Sequence, residues 1–249
     1  MARIVGIIPA RFESKRLPGK MLLDLAGKPL ILHTYERARQ AKLLDRVIVA
    51  TDDQRIADAV AGAGGQAVMT AAGHRSGSDR AAEAVSTLEC DIAVNIQGDE
   101  ALIEPAIIDA AAQLLLDRPE AGMGTMACPI RTQDEYADRN TVKVVFNTDG
   151  EALYFSRAPI PHTKRGRFEP GLGAYRHIGI YSFRRDVLLA FTALPPSPLE
   201  QAEDLEQLRA LENGVRIIVG VAEQHTSLNI DTPDDLERAR ELLCRSTSS

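Results

Sequence analysis

The stretch IPARFESKRLPGK sets Arg11, Lys15, Arg16 and Lys20 directly after a short apolar run, Ile4–Ile8, that breaks at Pro9. A strand that empties into a basic loop points at an anion. Arg11 and Lys20, with the loop's backbone N–H groups, suit a polyphosphate. The stretch is neither a P-loop nor a dinucleotide fingerprint, because G-x-x-x-x-G-K-[ST] and G-x-G-x-x-G are both missing; a solvated basic loop remains the alternative. A second chemistry-bearing stretch, QGDE, follows the apolar run Ile92–Ile96. There Gly98 would let backbone approach a ligand and Asp99 could hold Mg²⁺ through oxygen, unless Asp99 only shapes the turn into a helix beginning near Glu104. Asp231, in NIDTPDD, could be the second carboxylate of such a site or an ordinary turn residue.

Further candidates are weaker singly. SGSDR, Ser76–Arg80, offers small residues and free N–H groups for a base or phosphate, or simply an N-cap at Ser78. Asp52 and Asp53 in ATDDQ read as helix capping. Arg157 and His177 suit a carboxylated or polyhydroxylated substrate, although a single His is as readily structural, and no Ser-His-Asp or Cys-His set is evident. Glu206 and Gln207 lie in a charged helical stretch whose other charges read as a solvated face.

The elements that must position these residues alternate. Ile4–Ile8, Val47–Ala50, Ala67–Met69 and Ile92–Ile96 read as strands, and Pro29–Ala41, Gln54–Ala63 and Ser78–Leu88 as helices, with Pro29 at the first helical position. This is the rhythm of βαβ units and a mainly parallel sheet. In such a sheet ligands gather at the carboxyl ends of strands, where the loop Pro9–Lys20, the turn Gln97–Glu100 and the segment Asn229–Thr232 should meet. After about residue 122 the pattern changes to a hairpin, Val142–Phe146 and Ala152–Phe155, around Asn147-Thr148-Asp149-Gly150. A glycine-rich polar loop follows from His162. Then come a strand near Ile178–Phe183, a helix within Leu199–Glu212, a strand at Val215–Val221 and a last helix capped by Thr232 with Pro233, Asp234 and Asp235 in its first turn. The expected fold is α/β: one doubly wound, mainly parallel domain over residues 1–249 with an antiparallel insertion at about 130–185.

Composition narrows the class. The 249 residues carry a net charge of −6, with 45% hydrophobic and 26% charged residues, a balance suited to a packed core and unsuited to general attraction to nucleic acid or an anionic membrane. Cys90, Cys128 and Cys244 are widely separated and lack metal-ligand spacing. No apolar run reaches membrane-spanning length and no signal-peptide profile is evident, so a cytoplasmic setting is expected.

The ordered series IPARFESKRLPGK, GKPLI, ATDD, SGSDR, NIQGDE, VKVV, ALYFSRAPIP, RHIGIYSF, LEQLRALENG and IDTPDDLE resembles the 3-deoxy-manno-octulosonate (Kdo) cytidylyltransferases from about Ile4 to Arg240. The resemblance implies a nucleotide-diphospho-sugar transferase-like fold. It also implies transfer of CMP from CTP to the anomeric hydroxyl of Kdo for lipopolysaccharide assembly, by a cytoplasmic Mg²⁺-using homodimer whose insertion binds sugar and partner. It places Arg11, Ser14 and Lys20 on the triphosphate, with Lys20 also catalytic, and Ala10, Ser76, Gly77 and Gln97 around the cytidine. Arg157, His177, Tyr181, Glu206 and Gln207 would face the sugar acid, and Asp99 and Asp231 would serve catalysis by holding metal. Two departures, Ala101 where the family often has Pro and Asn229 where it often has Gly, leave room for an amino-substituted Kdo. A sialic-acid-like substrate, a sugar 1-phosphate or a non-catalytic nucleotide-binding role are the other readings.

Overall fold

A computed structural model describes residues 2–14, 16–169, 171–225 and 230–246. Lys15 and Asn229, named above, lie outside the described residues, as does the side chain of Cys244. The chain divides into two compact units, Met1–Asp109 with Thr226–Ser249, and Ala110–His225. The expected insertion falls inside the second unit, which extends beyond it at both ends.

In the first unit, β1 (Ile4–Ala10) is apolar throughout because both of its faces are covered, as expected of a central parallel strand. After β1 comes a two-residue hairpin, β2 (Asp24–Leu25) and β3 (Lys28–Pro29), which turns on Ala26 and Gly27, both at positive φ. Pro29 therefore belongs to β3 and precedes the helix α1 (Leu30–Ala38); it is not the first helical residue expected above. Pairing of Pro29 with Asp24 holds it in extended backbone. β4 (Arg46–Thr51), α2 (Gln54–Gly62), β5 (Gln66–Met69), α3 (Gly77–Ser86) and β6 (Ile92–Asn95) complete the alternation. The strand order is β6-β1-β4-β5, all parallel, with Ile7 opposite Ile48 and Gly6 opposite Val94.

Capping fixes where these helices start. Asp53 accepts the Arg55 N–H at 2.9 Å and so caps α2 as its sequence indicated. For α3 the cap is Ser76, not Ser78. Ser76 Oγ accepts the Asp79 N–H (3.2 Å) and the Asp79 carboxylate accepts the Ser76 N–H (3.1 Å), a reciprocal box that satisfies two orphan donors. Ser78 is instead buried, its hydroxyl accepting from Asn95 Nδ2 at 3.2 Å.

The helix α4 (Pro105–Asp117) runs across the boundary in sequence. In the second unit, β7 (Met123–Pro129) is followed by the short helix α5 (Gln133–Ala137) and the expected hairpin of β8 (Lys143–Phe146) and β9 (Ala152–Ser156). β10 (Tyr175–Arg184) runs antiparallel to both β7 and β8, with an irregularity between Ile178 and Tyr181. α6 (Arg185–Thr192) follows.

The single helix expected within Leu199–Glu212 is two: α7 (Pro198–Glu203) and α8 (Gln207–Glu212), broken at Asp204 with φ +53°. The break has a partner. Arg157 donates from Nε to the Glu203 carbonyl (2.8 Å) and from a terminal nitrogen to the Asp204 carbonyl (3.1 Å), taking acceptors a continuous helix would have used. β11 (Ile217–Val221) then pairs parallel with β7. The final helix, α9 (Pro233–Ser246), belongs to the first unit and starts as its sequence indicated, Thr232 Oγ1 accepting the Asp235 N–H at 3.2 Å.

Candidate active site

At the carboxyl ends of β1 and β6, a cavity of about 400 Å³ opens in the first unit. Arg11, Ser14 and Lys20 line it from the loop after β1; Ser76 and Gly77 from the start of α3; Gln97 and Asp99 from the turn after β6; and Asp231 from the approach to α9. These are eight of the nine nucleotide, catalytic and metal candidates named above. Ala10 is fully buried at the end of β1, and its neighbour Pro9 lines the cavity instead.

Lys20 is the centre of the charge arrangement. Only 7% exposed, its Nζ donates to Asp99 Oδ2 at 2.6 Å and to Asp231 Oδ1 at 3.0 Å. Burial works against its charge, but the Asp99 and Asp231 carboxylates outweigh burial and hold its pKa above the ordinary lysine value. Lys20 reaches this position through the left-handed Gly19 (φ +66°), which begins the 3-10 turn Lys20–Leu22. Asp231 also pairs with Arg16 at 2.9 Å. Carboxylates 79 and 211 positions along the chain from Lys20 thus converge on its ammonium.

Gly98, which also lines the cavity, is required by the fold: a Cβ there would stand 2.8 Å from the Pro9 carbonyl oxygen. The tight approach of the two strand ends sets Asp99 beside Lys20. Ala101 is fully buried, so that departure from the resembled family changes the core beneath the turn and not the cavity lining.

Arg75, His74 and Arg80 also line the cavity, and the reading of the sequence missed their part in it. His74 pairs with Glu83. Arg80, 3% exposed, donates to Asp52 (2.9 Å) and to Thr70 Oγ1 (2.6 Å). Asp52 therefore serves the site's frame and not helix capping. The only sequence signal was an arginine one turn into a helix beside an otherwise apolar face.

The sugar-acid candidates all lie in the second unit. His177 Nε2 bonds Thr125 Oγ1 at 2.8 Å, and its ring meets Phe155 edge-on with 5.1 Å between centroids and Tyr181 at 5.3 Å. Burial in this aromatic setting pushes its pKa down to about 3. Near neutral pH it is consequently an uncharged hydrogen-bonding group. Burial, then the nearby Glu206 charge, raise the Tyr181 pKa well above the ordinary tyrosine value, so its hydroxyl stays a donor. Gln207 is 2% exposed and its Nε2 has no hydrogen-bond partner among the described residues. Arg157 is fixed by its bonds at the end of α7, and its backbone N–H donates to Glu203 Oε2 at 2.9 Å.

Cations, hydroxyls, the N–H groups at the start of α3 and a carboxylate pair together can bind a polyphosphate and stabilise charge developing on it. Among the described residues no group of three or more His, Cys, Asp or Glu is placed to hold a metal. Two carboxylates nevertheless fit Mg²⁺, which keeps water and substrate oxygens in its remaining positions.

Residues 5–217 match the cytidylyltransferase family. The chain is 51% identical over 248 residues to the 3-deoxy-manno-octulosonate cytidylyltransferase of Geobacter sulfurreducens, covering 96% of this chain and 99% of the relative. It is 50% identical over 241 residues to the protein of that name from Syntrophotalea carbinolica, covering 94% and 96%. A solved CMP:2-keto-3-deoxy-manno-octonic acid synthetase complexed with CTP superposes with a TM-score of 0.92 at 43% identity, covering 98% of this chain and all of that one. The 4-diphosphocytidyl-2C-methyl-D-erythritol synthase of Anaerococcus prevotii, at 15% identity and a TM-score of 0.63 over 98% of this chain and 99% of that one, shares the fold.

Proposed function

The chain belongs to the cytidylyltransferase family, among the 3-deoxy-manno-octulosonate cytidylyltransferases, and from that membership we propose how its residues divide the reaction. CMP passes from CTP to the anomeric hydroxyl of Kdo, and pyrophosphate leaves. The oxygen–α-phosphorus bond forms as the bond from the α-phosphorus to the bridging oxygen of pyrophosphate breaks. Such chemistry needs positioning and charge stabilisation more than covalent help.

In our reading Arg11, Ser14 and Lys20 hold the triphosphate, and Lys20 balances charge as pyrophosphate departs. Ala10, through its backbone, with Ser76, Gly77 and Gln97, surrounds the cytidine. Arg157, His177, Tyr181, Glu206 and Gln207 bind the sugar acid. His177 contributes a neutral hydrogen bond there, leaving Arg157 as the permanent cation of the set. Asp99 and Asp231 would hold Mg²⁺, which when bound supplies Lewis-acid stabilisation and lowers the pKa of a coordinated hydroxyl. The observation that carries this reading is the convergence of both carboxylates on Lys20 inside the cavity that collects the phosphate candidates.

We further propose a homodimer contacting its partner through the insertion at about 130–185, working in the cytoplasm and supplying activated sugar for lipopolysaccharide. Sedimentation equilibrium should return about twice the chain mass. The division of roles is tested with Asp99→Ala and Asp231→Ala. Each should depress turnover by about 10²-fold or more, the scale of lost transition-state charge stabilisation, while CTP affinity changes far less. Normal turnover in either variant would refute the assignment.

A further inference from the structure

The loop after β1 borders two cavities. Arg11 and Ser14 line both the nucleotide cavity and a second one of about 770 Å³. Burial alone does not hold such a segment in place. What touches it is Asp52, in the turn between β4 and α2 where sequence had indicated only helix capping, and Arg55, in the first turn of α2.

Phe12, between the phosphate candidates Arg11 and Ser14, is gripped in two ways. Its backbone N–H donates to Asp52 Oδ1 at 3.2 Å, and the other oxygen of Asp52 accepts from the buried Arg80. Its ring lies under the Arg55 guanidinium, with Cζ 3.5 Å from the ring centroid. Arg55 is itself set by Asp53, which accepts from Nε at 2.9 Å and from a terminal nitrogen at 2.6 Å while capping α2. The ring also reaches the far end of the loop: a Cβ on Gly19 would lie 3.4 Å from it. One aromatic ring thus ties the residue next to Arg11 to the residue that aims Lys20.

We propose that Phe12 and Arg55 are positioning residues that hold the loop in its phosphate-binding shape before the nucleotide arrives. The inference rests on the assignment of the loop to the triphosphate and adds the device that keeps it ordered. Neither residue needs to touch CTP. Without the stack, the loop must be ordered at the moment of binding, and that cost falls on nucleotide affinity.

The test measures CTP binding to the full chain by calorimetry, together with KM for CTP and kcat, for Arg55→Ala, Arg55→Lys, Phe12→Leu and Phe12→Tyr. Arg55→Ala should raise both Kd and KM for CTP about two- to fivefold, the scale of an exposed cation–π contact, with a smaller change in kcat. Phe12→Leu should do the same. Arg55→Lys, which keeps a cation over the ring, and Phe12→Tyr, which keeps the ring, should each restore most of the loss. Unaltered CTP affinity in Arg55→Ala would overturn the proposal, as would a loss that Arg55→Lys does not recover or one confined to kcat. Failure of the unsubstituted chain to bind CTP would overturn the nucleotide assignment itself, and the proposal with it.

Discussion

Lowering the pH should weaken this fold through His177. Its imidazole is pushed from an ordinary 6.5 down to about 3 by burial among Phe155, Tyr181 and Thr125. The sign follows from where each state takes up its proton. Above 6.5 neither the folded nor the unfolded chain protonates this group. Below 6.5 the unfolded chain binds the proton and the folded chain does not, so stability falls with pH until the folded group titrates near 3. The full loss is about 5 kcal/mol, of which about 2 kcal/mol has accrued at pH 5. Urea unfolding at pH 8 and pH 5, for the unsubstituted chain and for His177→Gln, isolates the contribution, because every other titrating group is common to both. The unsubstituted chain should lose about 2 kcal/mol more than the variant between the two conditions. Equal losses would refute the placement of His177. The imidazole proton signals of His177, followed by NMR, should likewise not move between pH 8 and pH 5.

Other substitutions test the frame around the site. Gly98→Ala forces a methyl to within 2.8 Å of the Pro9 carbonyl, and the overpacking should cost about 1–3 kcal/mol in urea unfolding and misplace Asp99. Lys143 is fully buried, with Nζ donating to the carbonyls of Asp138 (2.8 Å), Thr141 (2.5 Å) and Arg157 (2.8 Å). Lys143→Met should therefore destabilise the chain by about 1–3 kcal/mol in the same assay, because three part-buried carbonyls lose a charged donor. Asp52→Ala leaves the buried Arg80 without its carboxylate partner, a change worth about 3–5 kcal/mol for a broken buried pair.

The parts of the fold legible in sequence are those decided locally. β1, β4 and β6 show as apolar runs because they are covered on both faces, and the β8–β9 hairpin shows because Asn147–Gly150 carries turn chemistry. That the proposed phosphate and cytidine residues would gather at one cavity was legible for the same reason: most of them sit on loops that follow those strands. What stayed hidden was decided at a distance. Arg157 sets the break at Asp204 from 47 positions away, and nothing within LEQLRALENG announces it. β7 reads MGTMACP, with small residues and no alternation, because both faces are buried. Arg80 looks like a solvated helix charge until Asp52, 28 residues earlier, is seen to bury it.

The central claim is metal-dependent cytidylyl transfer to Kdo at the Lys20, Asp99 and Asp231 cluster, and pyrophosphate release tests it most directly. Purified protein with CTP, Mg²⁺ and Kdo should release pyrophosphate, and excess EDTA should abolish the release. Parallel reactions with an amino-substituted Kdo and with a sialic acid should be slower. Release that persists in EDTA, or that occurs only with one of the other acids, would contradict the account.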